Sequence, residues 1–386
     1  MAFAAAISEH PVPATALGEV VGHVLEKVGE GPDLVCLFVS PQHAGALEDM
    51  AAAVQTILDP KVLIGCAAEA VIGPGVEIEG GSAVSIWAGN VGPVEPVRLK
   101  VVDAPAGGKA LSGWPINLGY VPAAAVILGD PFTFPASALF SVLNGAGGFP
   151  RVAGAMASGA LGPGGNRLVL GEEVHEDGAV GVLIGANDDV WIEHVVSQGC
   201  RPIGSPFAVT RAEGNVIYEL GGVPALSRLT DMVKSSLNDA EMGLAQTGLL
   251  VGIVVDEHKD TFGPGDFLIR TVIDTDIMEE SITVGQRVEV GTTVQFHIRD
   301  SAAAGSELND RLTGKEADAA LIFTSSGRGS RLFEEPDHDA AMIAEALDDP
   351  PAAGFFSASE FGPIGGRNLE HGFSASLALF TDRRTH

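Results

Sequence analysis

Short, uninterrupted apolar runs recur along the chain, and each is closed by polar, turn-forming residues. Leu34 to Val39 precedes Ser40-Pro41, Ala124 to Leu128 precedes Gly129-Asp130-Pro131, and Ala319 to Phe323 precedes Thr324-Ser325-Ser326-Gly327. Runs of this length without alternation suit strands buried on both faces. After the first run, Leu47, Met50, Val54 and Leu58 fall on one helical face. Further apolar stretches at Ser82 to Ala88, Gly178 to Ile184 and Phe373 to Phe380 predict returning strands. A spacing of G-x7-G-P recurs between them: Gly65 with Gly73-Pro74, Gly154 with Gly162-Pro163, and Gly354 with Gly362-Pro363. The repeating unit is read as strand, helix, strand, tight turn, strand.

Two amphipathic helices divide the chain. Leu17, Val20, Val24 and Val28 mark one near the start, and Leu226, Leu229, Val233 and Leu237 mark its counterpart. Pro and Gly punctuation at Gly199-Cys200-Arg201-Pro202-Ile203-Gly204 places a boundary near 200. Strands are expected at Asn215 to Leu220, Phe267 to Ile273 and Gln286 to Ile298, with an acidic connection at Asp274 to Glu280. The fold class is therefore α/β with mixed sheets (α+β in character), in two related halves, 1–199 and 200–386, built from the repeated unit.

Composition narrows the function. The 386 residues carry 22 Lys plus Arg against 50 Asp plus Glu, a formal net charge of −28. Such a surface repels a polyanion and releases few counterions, which argues against nucleic acid as a partner. Apolar residues make up 46% and charged residues 19%, so much of the chain must be buried and bulk disorder is excluded. Cys36, Cys66 and Cys200 are scattered and odd in number, neither a disulfide framework nor a zinc pattern. The N-terminus lacks the basic region of a signal peptide, and no apolar run approaches the ~20 residues that span a bilayer. A cytoplasmic protein without membrane attachment is expected.

Candidate chemistry lies in the loops after the buried strands. Successive amides in Ser325-Ser326-Gly327-Arg328-Gly329 can form an anion-binding nest, with the Arg328 fork suited to a carboxylate or phosphate. The bland alternative is a sharp strand-to-helix turn. Gly365-Gly366-Arg367-Asn368 is a second glycine-rich candidate, which can equally be a hairpin turn. Glu69 and Glu360 are acids among small and apolar residues and need donors, from a ligand amine or from the protein itself. No Walker A loop, G-x-S-x-G elbow, H-E-x-x-H helix or C-x-x-C pair occurs. The acidic groups around His175, His338 and Asp274 read as solvated loops, so neither a metal nor a cofactor is expected.

Two sets of segments resemble a known family. Pro32-Asp33-Leu34-Val35 with Phe38 and Ser40, and Leu63 through Gly73, resemble the FIST N-terminal domain. Gly199 to Gly204, Ala212 to Ile217, Phe323 to Gly329 and Gly354 through Phe380 resemble the FIST C-terminal domain. The resemblance implies a sensory module for small ligands such as amino acids, a type often fused to signalling output domains. The sequence ends six residues after Phe380, so a stand-alone protein that signals through a partner chain is expected. The family pattern at the loop after Phe323 leads to an expectation of Cys or Ala with Asn, whereas Ser325-Ser326 stand here, and a thiol-dependent role at that loop is not expected.

Together these readings give a non-enzymatic sensor of an amino acid or related small carboxylate. Arg328 with Ser325 to Gly329 would hold the acid group, Glu360 or Glu69 the amine, and Arg367 with Asn368 would close the site. Two other classes stay open: a protein interaction module, since FIST domains also occur in F-box proteins, and an enzyme using Ser325 or Cys66 on a small acidic metabolite. The sequence leaves the oligomeric state open.

Overall fold

The computed structural model describes residues 2–104, 108–147, 149–238, 242–243, 248–263 and 265–384. The chain forms two compact units, one made of residues 1–196 with 309–386 and the other of residues 197–308. The division differs from a cut at 199/200, because the C-terminal residues belong with the N-terminal ones.

In the first unit, the three apolar runs are strands β2 (Leu34–Val39), β9 (Pro122–Gly129) and β22 (Ala319–Ser325). A helix follows each: α2 (Leu47–Leu58), α3 (Ala136–Gly145) and α6 (His338–Ala346). The chain then returns as a parallel neighbour, β3 (Val62–Ala67), β10 (Arg151–Met156) or β23 (Ala352–Ser357). A hairpin comes next: β4 (Ala70–Gly73) with β5 (Val76–Glu79), β11 (Leu168–Leu170) with β12 (Glu173–His175), or β24 (Glu360–Ile364) with β25 (Arg367–His371). A last strand, β6 (Val84–Gly89), β13 (Ala179–Gly185) or β26 (Ala375–Asp382), runs antiparallel beside the first. Repeated strand–helix units in mixed sheets are thus present three times, all in this unit.

The hairpins do not stay with their own repeat. β11–β12 pairs with β3, β24–β25 with β10, and β4–β5 with β23. Each sheet is therefore finished by a hairpin from another repeat, in a closed cycle. The resulting orders among the described residues are β1 (Phe3–Ser8)-β6-β2-β3-β11-β12, β25-β24-β10-β9-β13-β7 (Val94–Asp103)-β8 (Lys109–Ser112), and β14 (Val190–Ser197)-β26-β22-β23-β4-β5. This cycle is why residues 309–386 cannot be separated from the N-terminus: β23 has β4 as its outer neighbour.

The glycines of the repeated spacing have a steric reason. Gly65, Gly154 and Gly354 sit at matching positions opposite Leu37, Ile127 and Ile322 of the parallel neighbour. A Cβ there would lie 2.1, 2.0 and 1.7 Å from the carbonyl oxygens of those residues. The Gly-Pro pairs do not share one role. Only Gly73-Pro74 makes the hairpin turn; Gly162-Pro163 lies in the loop before β11, and Gly362-Pro363 lies within β24. Pro363 is tolerated because β24 pairs with β10 only through Glu360 and Phe361.

The inner faces of the three sheets meet in one core. Phe3, Trp87 and Phe380 form one aromatic group, Phe38, Phe323 and Phe355 another, and Val126, Val180 and Val182 complete the packing from the second sheet. The outer face of the first sheet is covered by α1 (Pro13–Lys27) and α2, through Val20, Val24, Leu47 and Val54. α3 covers the second through Leu139, Phe140 and Leu143. With both faces covered, these strands have no use for alternation, and the uninterrupted apolar runs follow.

The second unit is antiparallel. Among its described residues, β15 (Cys200–Glu213), β21 (Thr293–Arg299), β18 (Leu249–Val254), β19 (Phe267–Asp276), β20 (Ser281–Val284), β16 (Val216–Leu220) and β17 (Val223–Pro224) pair in that order. β15 also pairs with β16, so the sheet closes on itself. The amphipathic helix is α4 (Ala225–Ser236). The strand expected from Gln286 begins only at Thr293, because Gly291 turns the chain with φ 97°. Asp274 and Asp276 belong to β19, so the acidic connection is the tip of a hairpin. The chain returns to the first unit along α5 (Ser301–Leu312).

Replacing Gly354 by Ala should destabilise the protein by about 3 kcal/mol or more, since a backbone carbonyl cannot move aside. Gly22→Ala, on an exposed helical position with nothing within 4 Å of the new methyl, should instead stabilise by about 0.8–1 kcal/mol. Urea unfolding of both variants checks the contrast.

Candidate functional site

Strand ends bring the first group of expected residues together and engage most of their polar groups internally, the buried Ser326 Oγ being without a partner among the described residues. Ser325 N–H donates to Ser374 O at 2.9 Å, Ser326 N–H to Ser357 O at 2.8 Å and Arg328 N–H back to Ser325 O at 2.8 Å. Gly327 N–H reaches Ser325 Oγ at 3.3 Å. The carboxylate that the turn attracts is the protein's own: Glu79 accepts from Ser330 N–H at 2.8 Å and Ser330 Oγ at 2.7 Å. Gly329 is required there, with φ 57° and Glu79 Oε1 2.6 Å from where a Cβ would stand.

Arg328 is fully buried and its fork is engaged. Nε and Nη2 donate to the two oxygens of Asp339 at 2.6 and 2.8 Å, Thr324 Oγ1 adds 2.8 Å, and the Phe333 ring lies 5.3 Å from the guanidinium carbon. Burial alone would raise the Asp339 pKa; the charge and hydrogen bonds of Arg328 outweigh it and hold the carboxyl well below the usual range. The pair ties the loop to the start of α6, and a buried pair of this kind is costly to break. Glu360 is also buried, accepting from Ser357 Oγ at 2.6 Å, Ser374 N–H at 3.0 Å and Ser374 Oγ at 2.7 Å. Burial pushes its pKa up to about 7 in spite of those donors. Glu69 is half-buried, its carboxylate 3.0 Å from Arg331 and its N–H 3.0 Å from Ser158 Oγ.

The second group lies at the other end of β24. From Glu360 to Ile364 the strand spans about 13 Å at ~3.3 Å per residue. Gly365 and Gly366 make the β24–β25 turn with φ 56° and 77°, and Arg367 is exposed beside them. Asn368 is buried as a bracket. Its side chain accepts from Val152 N–H at 2.9 Å and donates to Pro150 O at 3.0 Å, while its backbone exchanges two bonds with Asn144. The expected site is thus two places, and Arg367 with Asn368 does not close over Arg328.

Near this turn is a pocket of about 410 Å³ whose walls are mostly apolar. Phe149, Arg151, Asn187, Trp191, Glu193 and His194 supply its distinctive side chains. Arg151 stands over the Phe149 ring at 4.6 Å and donates to Gly366 O. His194 has a buried Nε2 without a partner among the described residues. Burial, and then the charge of Arg151, push its pKa down to about 4, so the imidazole is neutral near pH 7. The size and the few convergent polar groups match a small-molecule site. The sequence signal was faint: Trp191, Glu193 and His194 share one strand, but Arg151 is forty residues away and only the fold joins them. No group of three or more metal-ligating side chains occurs among the described residues.

Comparison with known proteins places these residues in context. Residues 33–223 match the FIST N domain, and residues 225–363 match the FIST C domain. The chain is 40% identical over 385 residues to the uncharacterized protein Rv0628c of Mycobacterium tuberculosis (strain ATCC 25618 / H37Rv), covering 97% of this chain and 98% of that one. It is 41% identical over 364 residues to the uncharacterized protein Mb0898c of Mycobacterium bovis (strain ATCC BAA-935 / AF2122/97), covering 92% of each.

The buried acids set a pH dependence. Glu77 faces Asp339, and burial followed by that charge pushes its pKa from 4.5 up to about 8. Glu77 and Glu360 therefore keep protons in the folded protein that the unfolded chain has released. Their stabilising contribution is complete below about pH 4.5 and is lost as pH rises towards 7–8. Asp339 works in the opposite sense, and its contribution is lost only on strong acidification. Glu77→Gln should flatten the fall in stability between pH 5 and 8, measured as urea midpoints across that range; an unchanged slope would contradict the assignment.

Proposed function

Because the chain belongs to the FIST family, whose domains are implicated in small-ligand sensing and signal transduction, we propose that it is a non-enzymatic sensor. Its ligand sits in the pocket between Phe149, Arg151, Trp191 and His194, and occupancy is passed to a partner chain. The observation that carries this reading is a mostly apolar pocket lined by both Arg151 and His194, the latter with a buried Nε2 that has no partner among the described residues. The loop at Ser325 to Gly329 is a weaker seat, because Glu79 already takes the Ser330 donors and Asp339 takes the Arg328 fork. In this reading the loop is the rigid support of the third sheet. Glu360 and Glu69 serve the same support, held by Ser357 and Ser374 and by Arg331.

Trp191 and Phe149 are 53% and 57% exposed, a cost in apolar surface that a ligand would remove. Native mass spectrometry of freshly purified protein, followed by denaturation, identifies a bound metabolite. Arg151→Gln and Trp191→Ala should each weaken that metabolite's binding at least tenfold by calorimetry while the thermal unfolding curve stays cooperative. Unchanged affinity in both variants would place the ligand elsewhere, and turnover of the metabolite would make the protein an enzyme.

A further inference from the structure

The pocket's polar inventory is short enough to specify the ligand's chemical class. Asn187 lines it but has nothing left to offer. Its Nδ2 donates to Val91 O at 2.9 Å and Gly185 O at 3.2 Å, and its Oδ1 accepts from Asp189 N–H at 3.0 Å and Val190 N–H at 2.7 Å. Two donors and two acceptor sites are the full capacity of a side-chain amide. Glu193 is the acid of the lining, and Lys315 is already bound to it. A ligand ammonium would have to share that carboxylate with Lys315 and lie in the field of Arg151.

Two groups remain. Arg151 spends one donor on Gly366 O among the described residues, out of the five a guanidinium carries. His194 lines the same pocket as Arg151 and has a buried Nε2 without a partner among the described residues, and the charge of Arg151 is felt at its ring. A neutral imidazole protonated at Nε2 donates one hydrogen bond. Next to a guanidinium, that makes a pair of donors matched to the two oxygens of a carboxylate. The remaining wall is flat: the Trp191 and Phe149 rings are both more than half exposed. Each of these rings already carries an arginine, Arg383 at 4.9 Å over Trp191 and Arg151 at 4.6 Å over Phe149, which fixes how the rings stand.

We propose that the pocket binds an aromatic monocarboxylate without an ammonium group, its carboxylate held by Arg151 and His194 and its ring laid against Trp191 and Phe149. This rests on the pocket being the ligand seat. It replaces the amino acid expected from the sequence, because Lys315 already neutralises the acid of the lining and Arg151 adds a further positive charge, which favours a monoanion over a zwitterion.

The test is calorimetric titration of the full chain with benzoate, phenylalanine, benzyl alcohol and hexanoate. Benzoate should bind at least tenfold more tightly than each of the other three. Arg151→Gln should erase its advantage over benzyl alcohol, and His194→Ala should reduce its affinity about fivefold to tenfold. Trp191→Leu, which keeps apolar bulk, should erase the advantage over hexanoate. Phenylalanine binding as tightly as benzoate would overturn the class. So would hexanoate binding as tightly, or benzoate showing no binding while another compound from a metabolite screen binds in an Arg151- and Trp191-dependent way; in that last case the pocket still stands as the seat. If no compound responds to either substitution, the seat and the class fall together.

Discussion

The close approach of parallel strands at Gly65, Gly154 and Gly354 is the constraint on which the first unit depends. At each point a carbonyl of the neighbouring strand occupies the space that any side chain would need. The approach draws the two central strands of every repeat together, and the same three strands accept the exchanged hairpins on their other side. No repeat can then complete its sheet alone. The arrangement places aromatic groups from the first and third sheets and small aliphatic side chains from the second in one core. It also explains why chain segments nearly three hundred residues apart form one compact unit, with residues 197–308 forming another.

The two ends of the strands have been put to different uses. Around the ends of β22 and β23, polar groups are matched to one another: buried Arg328 with Asp339, buried Glu360 with Ser357 and Ser374, and, at the surface, Glu79 with Ser330. Burying charge is tolerable only with such matching, and a matched network gives specificity of structure rather than a place for a ligand. At the other end, beside Arg151 and His194, polar groups face a pocket with aromatic walls. In a chain of net charge −28, an arginine next to a neutral imidazole is a local exception to the field of the whole molecule. An anion drawn there meets an environment that the rest of the surface does not offer.

The buried runs, the helix at Leu47 to Leu58 and the repeated glycine spacing were legible because each is a local consequence of covering both sheet faces and of one steric contact. The exchange of hairpins was not, since pairing partners such as Val71 and Phe355 carry no mark of each other in sequence. For the same reason a cut near residue 200 could not reveal that residues 309–386 return to the first unit. In sequence, the residues at Ser325 to Gly329 mark a nest for the acid group of a ligand. Sequence could not show that Glu79 and Asp339 would supply carboxylates there from other elements. Arg151 and His194 gave little signal, as a lone Arg and a lone His are ordinary until a fold brings them to one pocket.

Native-state hydrogen exchange, read at single-peptide resolution under increasing denaturant, tests the exchange of hairpins most directly. The amides of β3, β10 and β23 should converge on one opening free energy, because no sheet can lose its partner hairpin without exposing another's. Opening of one of these strands at a markedly lower free energy, with the other two still protected, would contradict it.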